Sequence, residues 1–229
     1  MIFQRTTVPG LNYQLPVLTR AGARYYVTPE GNKYPSASTI AGLLTRDGIT
    51  AWRAKVGTET ADRISKRGAD RGTNVHAVCE SYLRGTLTPL ERLGIMPTLK
   101  EMFLSLQKTF DANISEVYAI EQPLYSDRLK IAGRCDAVVV WNKLLAILDV
   151  KTANRHKPEE WILNYFVQTA AYAEMFEERT GMPIDRIVLA TAIEGESHAV
   201  IHNRSKAEYL PILDKCIAQY YKENGSQFA

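Results

Sequence analysis

The sequence predicts an α/β fold, a central mixed β-sheet flanked by helices and preceded by a helical N-terminal region. Three observations predict it. Apolar residues recur at helical spacing in the stretches before residue 115, the period switches to that of β-strands from Val117, and helix and strand signals alternate from Pro158 onward.

Each element follows from local chemistry. Residues 1–35 hold Pro9, Gly10, Pro16, Gly22, Pro29, Gly31 and Pro35 and read as an extended arm, with a short hairpin at Arg24 to Tyr34 around Pro29-Glu30-Gly31-Asn32. Ser36 or Ser38 can cap a helix that begins at Thr39-Ile40-Ala41. A long helical stretch rich in Ala, Arg, Lys and Glu follows from Ala51 to Leu83, with Gly57, Gly68 and Gly72 as expected divisions and Gly85 as its end. Leu99, Met102, Phe103, Leu106 and Phe110 give a third helix over Pro97 to Ala112.

Val117 to Tyr125, Ile131 to Trp141 and Lys143 to Lys151 then read as three strands, joined by turns at Ser126 to Leu129 and Trp141 to Leu144. The second and third are apolar on both faces, which predicts a buried sheet covered on each side by helices. A helix over Pro158 to Glu178, strands at Ile184 to Ile193 and Ser197 to His202, and a last helix opened by the capping box Ser205-Lys206-Ala207-Glu208 complete the order.

Composition limits the function classes. Hydrophobic residues make up 45% and charged residues 23%, which excludes a disordered, collagen-like or disulfide-scaffold chain. The longest apolar runs, Ala137 to Trp141 and Leu144 to Leu148, fall far short of the ~20 residues of a membrane-spanning helix. The first 25 residues lack the apolar segment of a secretory signal, so a soluble, cytoplasmic protein is expected. Cys79, Cys135 and Cys216 lie far apart without CxxC spacing and read as small buried hydrophobes, with no iron–sulfur cluster. The net charge of +3 conceals an asymmetry: residues 1–85 carry 12 basic and 6 acidic side chains, residues 86–229 carry 16 and 19.

The hairpins predict that carboxylates converge. If the turn at Trp141 to Leu144 is symmetric, Asp136 lies opposite Asp149; a register two residues beyond a symmetric Ser126 to Leu129 turn brings Glu121 opposite Asp136. Directly opposed acids destabilise a strand pair, so such a set calls for a cation, and oxygen ligands favour a hard one such as Mg²⁺ or Mn²⁺. Asp149 and Lys151 share a strand face, which sets an ammonium beside the acids. The plainer alternative is an ordinary Asp149–Lys151 salt bridge with Asp136 at a strand edge. His76, in Arg71-Gly72-Thr73-Asn74-Val75-His76, sits on a helix with Glu80 one turn later, as a site residue or a structural histidine. Asn164, Gln168 and Tyr172 recur every four residues, either as a polar stripe facing the site or as a solvated one. Arg53, Lys55, Arg63, Lys66, Arg67 and Arg71 form either a phosphate-tracking wall or a solvated helix surface. Tyr25, Tyr26, Tyr34 and Trp52 could stack on bases or pack in the core.

The set Gly72-Thr73-x-x-His76, Glu121, Gly133-x-x-Asp136, Asp149-x-Lys151-Thr152 and Gln168-x-x-x-Tyr172 resembles the RecB-type branch of the PD-(D/E)XK nuclease superfamily. Tyr34-Pro35-Ser36-Ala37-Ser38-Thr39-Ile40 also resembles a segment of the mitochondrial genome maintenance exonuclease type and of related phage-encoded enzymes. The resemblance spans roughly residues 34–195 and implies a restriction-endonuclease-like core at 116–229, a helical DNA-binding region with the His motif at 36–115, and the arm at 1–35, all in one domain. It implies Mg²⁺- or Mn²⁺-dependent phosphodiester hydrolysis in the cytoplasm of a bacterial or phage-infected cell. Lys151, Asp136, Asp149 and Glu121 would be catalytic, and His76, Asp136, Asp149 and Val150 would form the metal shell. Gln168, Tyr172, Thr152, Arg63, Lys66, Arg67 and Arg71 would touch DNA that is single-stranded or has a free end. An exonuclease is expected ahead of a structure-specific endonuclease or an inactive nucleic-acid-binding module of the same fold. No cluster cysteines like those of the CRISPR-associated adaptation nucleases are present, and no membrane partner is expected.

Overall fold

The two long hairpins predicted from the apolar runs organise the chain around one sheet. The computed structural model describes residues 3–20, 22–88, 91 and 94–225. Its N-terminal part holds β1 (Gln4–Arg5), then the small antiparallel sheet β2 (Val17–Arg20), β3 (Ala23–Val27) and β4 (Lys33–Pro35). Helices α1 (Ala37–Gly42), α2 (Arg46–Val56), α3 (Thr58–Leu83) and α4 (Pro97–Asn113) follow. The hairpins are β5 (Ile114–Ser126), β6 (Ile131–Trp141) and β7 (Leu144–Ala153), after which come α5 (Leu163–Thr180), β8 (Arg186–Ile193), β9 (Val200–Ser205) and α6 (Leu210–Asn224). The main sheet runs β1-β5-β6-β7-β8-β9, with β1 parallel to β5, β7 parallel to β8 and the other neighbours antiparallel.

Helices cover both faces, as the apolar strands require. Ile147, Val138 and Leu189 pack against α1, α5 and α6 through Ile40, Phe166, Phe176 and Leu213. The alternate residues Val139, Ala146, Leu148 and Val188 pack against α3 and α4 through Tyr82, Phe103, Leu106 and Phe110. Cys79, Cys135 and Cys216 are buried and unpaired, as their spacing suggested.

Both hairpin registers match expectation. Asn142 and Lys143 take φ of 48° and 70°, the left-handed values of a tight two-residue turn whose twist suits the flanking strands, and Trp141 pairs with Leu144. Ser126 pairs with Ile131, the two-residue offset proposed for the first hairpin. Irregular steps between Ile114 and Glu116 and between Val117 and Ala119 then shift that register toward the strand's start.

Several boundaries differ. The hairpin expected at Arg24 to Tyr34 is present as β3–β4, but the rest of residues 3–35 is not an extended arm: β1 joins the main sheet, and β2 adds to the hairpin to form a sheet whose Tyr26 and Tyr34 pack on Tyr125 and Ala132. Residues 1, 2 and 21 of that segment lie outside the described residues. Of the three expected glycine divisions only Gly57, at φ 85°, breaks the helix; Gly68 and Gly72 have ordinary helical surroundings within α3. Helix α5 begins at Leu163, after a 3₁₀ turn at Glu159–Trp161, and β9 starts at Val200. The capping box at Ser205 is present but opens a 3₁₀ turn, Lys206–Glu208, ahead of α6. Among the described residues no helix is long and apolar enough to cross a membrane.

Two measurements test this packing. Phe110, with no exposed surface, anchors α4 to the sheet, so Phe110→Ala should lower the unfolding free energy in urea by about 3–5 kcal/mol. Arg46 clasps Glu223 at 2.7 and 3.1 Å, joining α2 to α6, and with Gln219 it holds the Glu223 carboxyl down to about 2. A carboxyl depressed in the folded state stabilises above its unfolded value of 4.5 and loses that contribution as pH falls toward 2. Glu223→Gln should therefore melt slightly below wild type at pH 7, by the small amount exposed pairs contribute, with the gap closing from pH 4.5 downward.

Candidate active site

The pairing of β6 with β7 runs from Trp141 opposite Leu144 to Ala137 opposite Leu148, while β7 stays paired with β8 as far as Ala153. Just past Ala137, Asp136 Oδ2 accepts a 2.7 Å hydrogen bond from the Val150 backbone N–H. A side-chain carboxylate thus takes a position that a main-chain carbonyl fills in an uninterrupted ladder. The other oxygen, Oδ1, faces His76 Nδ1 on α3 at 3.5 Å.

Glu121 reaches the same place from β5. It lies between the pairs Ile120–Ala137 and Gln122–Cys135, which sets it across from Asp136. Its φ of 51° is in the left-handed region, uncommon for a side chain inside a strand and frequent where function imposes a backbone position. His76, Glu121 and Asp136 each offer a ligand atom within 4.8 Å of the others. Opposite ligands of an octahedral Mg²⁺ stand about 4.2 Å apart, twice its ~2.1 Å bond, so a small side-chain adjustment brings the three around one ion. A mixed nitrogen and carboxylate set suits Mn²⁺ as well.

The electrostatics agree with a cation site. Burial, then the charges of Asp136 and Glu80, push the Glu121 carboxyl up to about 6. Burial would also raise Asp136, but His76, Lys151 and the Val150 N–H outweigh it and hold the carboxyl below its usual range. Burial acts against the His76 imidazolium, yet the neighbouring Asp136 raises its pKa. Asp149 lies deeper, 1% exposed, and is pushed up to about 6 by burial despite Lys151. Lys151 Nζ stands 2.5 Å from Asp149 Oδ2, a buried ion pair. Burial opposes the Lys151 ammonium, but Asp149 and Asp136 raise its pKa.

Helix α5 closes the site from the other side. Gln168 Nε2 donates to Tyr172 Oη at 2.9 Å, and the Tyr172 ring lies against Gly133, where a Cβ would stand 2.6 Å from Cε1. The stripe of Gln168 and Tyr172 therefore faces inward. The site opens into a groove of about 810 Å³. Val17, Thr19, Arg24 and Ser38 line one wall; Thr73, His76 and Glu80 of α3 line the other; Glu121, Arg134, Asp136 and Lys151 lie between.

The structure thus brings together His76, Glu121, Asp136, Lys151, Gln168 and Tyr172 on the groove, with Asp149 beneath Lys151. Val150 contributes its N–H to Asp136, while its side chain is buried. The expected basic wall is not on the groove. Lys66 pairs with Asp70, Arg53 with Asp62, and Arg67 with Glu194. Arg71 joins Glu194 and donates to Thr152 Oγ1 at 3.3 Å, clasping α3 to the end of β7, and Arg63 lies off the groove lining. Lys66, Arg67 and Arg71 are thus held in ion pairs, and none of Arg63, Lys66, Arg67 and Arg71 lines the groove. The cations on the groove are Arg24, Arg134 and Lys151. Arg134 was legible, two residues from Asp136 on the same strand; Arg24 was not, because only the small sheet's packing brings it there. Of the aromatics, Tyr25 bonds Tyr220 through their hydroxyls at 2.6 Å and Tyr34 bonds Asp127 at 2.8 Å, so both serve the core.

No family model matches, and no curated protein matches. The crystal structure of a protein called SSO0001 is similar at 14% identity, covering 82% of this chain and 77% of that one, with a TM-score of 0.41.

The Gly133 contact yields a direct test. Gly133→Ala forces the Tyr172 ring away from β6, a repacking that should lower stability by about 1–3 kcal/mol in denaturant melts. Combining it with Tyr172→Phe, which keeps the ring, should recover nothing, whereas Tyr172→Ala should remove the clash and leave only a cavity.

Proposed function

We propose that this chain is a Mg²⁺- or Mn²⁺-dependent DNA nuclease of the PD-(D/E)XK kind. The observation that supports it most is the convergence of His76, Glu121 and Asp136 beside the Asp149–Lys151 pair in one groove. Its residues also carry the motifs whose order and spacing resemble that superfamily.

A bound Mg²⁺ or Mn²⁺ would supply a Lewis acid for a phosphoryl oxygen and lower the pKa of a coordinated water. The chain does the rest. Asp136, held by the Val150 N–H, and Glu121, set across from it on β5, present carboxylates that need only a small adjustment. Lys151, held against Asp149, offers an ammonium to position the attacking water and to offset the charge that grows on the phosphoryl oxygens. Water adds to phosphorus, the bond to the leaving oxygen breaks, and the phosphate and the hydroxyl end share the water's atoms. Gln168 and Tyr172 hold the floor against which the strand lies, and Arg24 and Arg134 supply phosphate contacts on the groove.

Exonucleolytic action on single strands or ends is the favoured mode, on the resemblance of Tyr34 to Ile40. End-labelled single- and double-stranded DNA in Mg²⁺ or Mn²⁺ should be degraded, with Asp136→Ala and Lys151→Ala at least 100-fold slower. Undiminished degradation by both variants overturns the assignment. A circular single-stranded substrate should resist, and its cleavage assigns an endonuclease. Mn²⁺ should also raise the melting temperature of wild type and not of Asp136→Ala, since an ion that binds the native state stabilises it.

A further inference from the structure

Lys151 borders a second opening besides the groove. This recess, of about 30 Å³, lies where β7 runs into the segment before α5, and its lining includes Arg155, His156, Lys157, Tyr165 and His202 but no acidic residue among those described. Lys151 and Lys157 direct their ammonium groups at the same ring, 5.1 and 5.8 Å from the Tyr165 centroid. Of the recess residues, Lys151 is paired with Asp149 and His156 faces Glu196 at 3.7 Å, while Glu159 is taken by Arg204. Arg155 and Lys157 have no acidic partner among the described residues and stand exposed.

Arg155 and Lys157 are thus the recess cations left without an acid, and an anion between them offsets their mutual repulsion. The recess is small, with room for a water-sized group, so a phosphate would set one oxygen into it with the rest outside toward Arg155 and Lys157. Trp161, 57% exposed, follows four residues after Lys157, a flat apolar surface on the same segment. We infer that this recess is a second phosphate subsite, taking a phosphodiester of the DNA strand that neighbours the one held in the groove, with Arg155 and Lys157 as its contacts. The inference rests on the reading of the groove as a DNA site. Lys151, shared by the two openings, is where they meet, so one strand can pass from the groove over Lys151 to the Arg155–Lys157 segment.

The test measures binding apart from cleavage. A fluorescein-labelled single-stranded 20-mer is titrated with wild type and with R155A/K157A in EDTA, over a series of salt concentrations. The variant should keep the wild-type melting temperature, because both side chains are exposed. Its affinity should fall several-fold, and the slope of log K against log salt should shrink by about 0.7, the share of one phosphate on a single strand. An unchanged slope overturns the subsite, even in a chain that cleaves DNA, and leaves the nuclease reading standing. A wild type that binds DNA and never cleaves it defeats the nuclease reading, while the 0.7 loss of slope would still support the subsite. A second arm replaces DNA with inorganic phosphate and reads thermal stabilisation. Stabilisation of wild type, absent in R155A/K157A, with no change in the DNA slope, marks a free-anion pocket and overturns the strand subsite.

Discussion

The candidate site depends on one hydrogen bond, from the Val150 N–H to Asp136. It is made where β6 parts from β7 and β7 goes on beside β8 alone. A strand that leaves its partner ordinarily exposes an unsatisfied amide inside a protein, at a cost of about 1–3 kcal/mol. Here the carboxylate meets that amide, so the opening in the sheet and the acid within it stabilise each other. Everything else in the site is arranged around this opening: His76 arrives from one face, Tyr172 and Gln168 from the other, and Glu121 from the adjoining strand.

Much of this was legible in the sequence because two-residue periodicity and turn symmetry are strong constraints. The turn at Asn142 and Lys143 leaves few registers open, and the one that buries alternate apolar residues on both faces aligns Asp136 with Asp149. Gln168 and Tyr172 could be paired from helical spacing alone. The direction in which that stripe points came only from packing, since Gly133 leaves the space that the Tyr172 ring fills. The N-terminal segment misled for a related reason. Its prolines and glycines signal turns, yet turns every few residues also suit short strands, and Tyr26 and Tyr34 supply the apolar face that folds them onto Tyr125.

Charge was the least legible property. A tally over residues 1–85 located the basic residues but not their partners, because acids such as Glu194 come from more than 100 positions later in the chain. What acts in the groove is a smaller set, Arg24, Arg134 and Lys151, interleaved with carboxylates. Positive charge in the groove therefore stands beside the His76, Glu121 and Asp136 cluster.

The backbone at Glu121 bears on how the site can be dissected. With φ at 51°, this position suits residues that tolerate left-handed geometry, asparagine foremost after glycine. Alanine there would leave the backbone cost that glutamate already bears and remove the carboxylate together with the whole reach of the side chain, merging two losses into one number. Asparagine eases the backbone but is one methylene shorter and withdraws the polar head. Glutamine keeps the reach and a comparable backbone cost, and so isolates what the negative charge alone contributes.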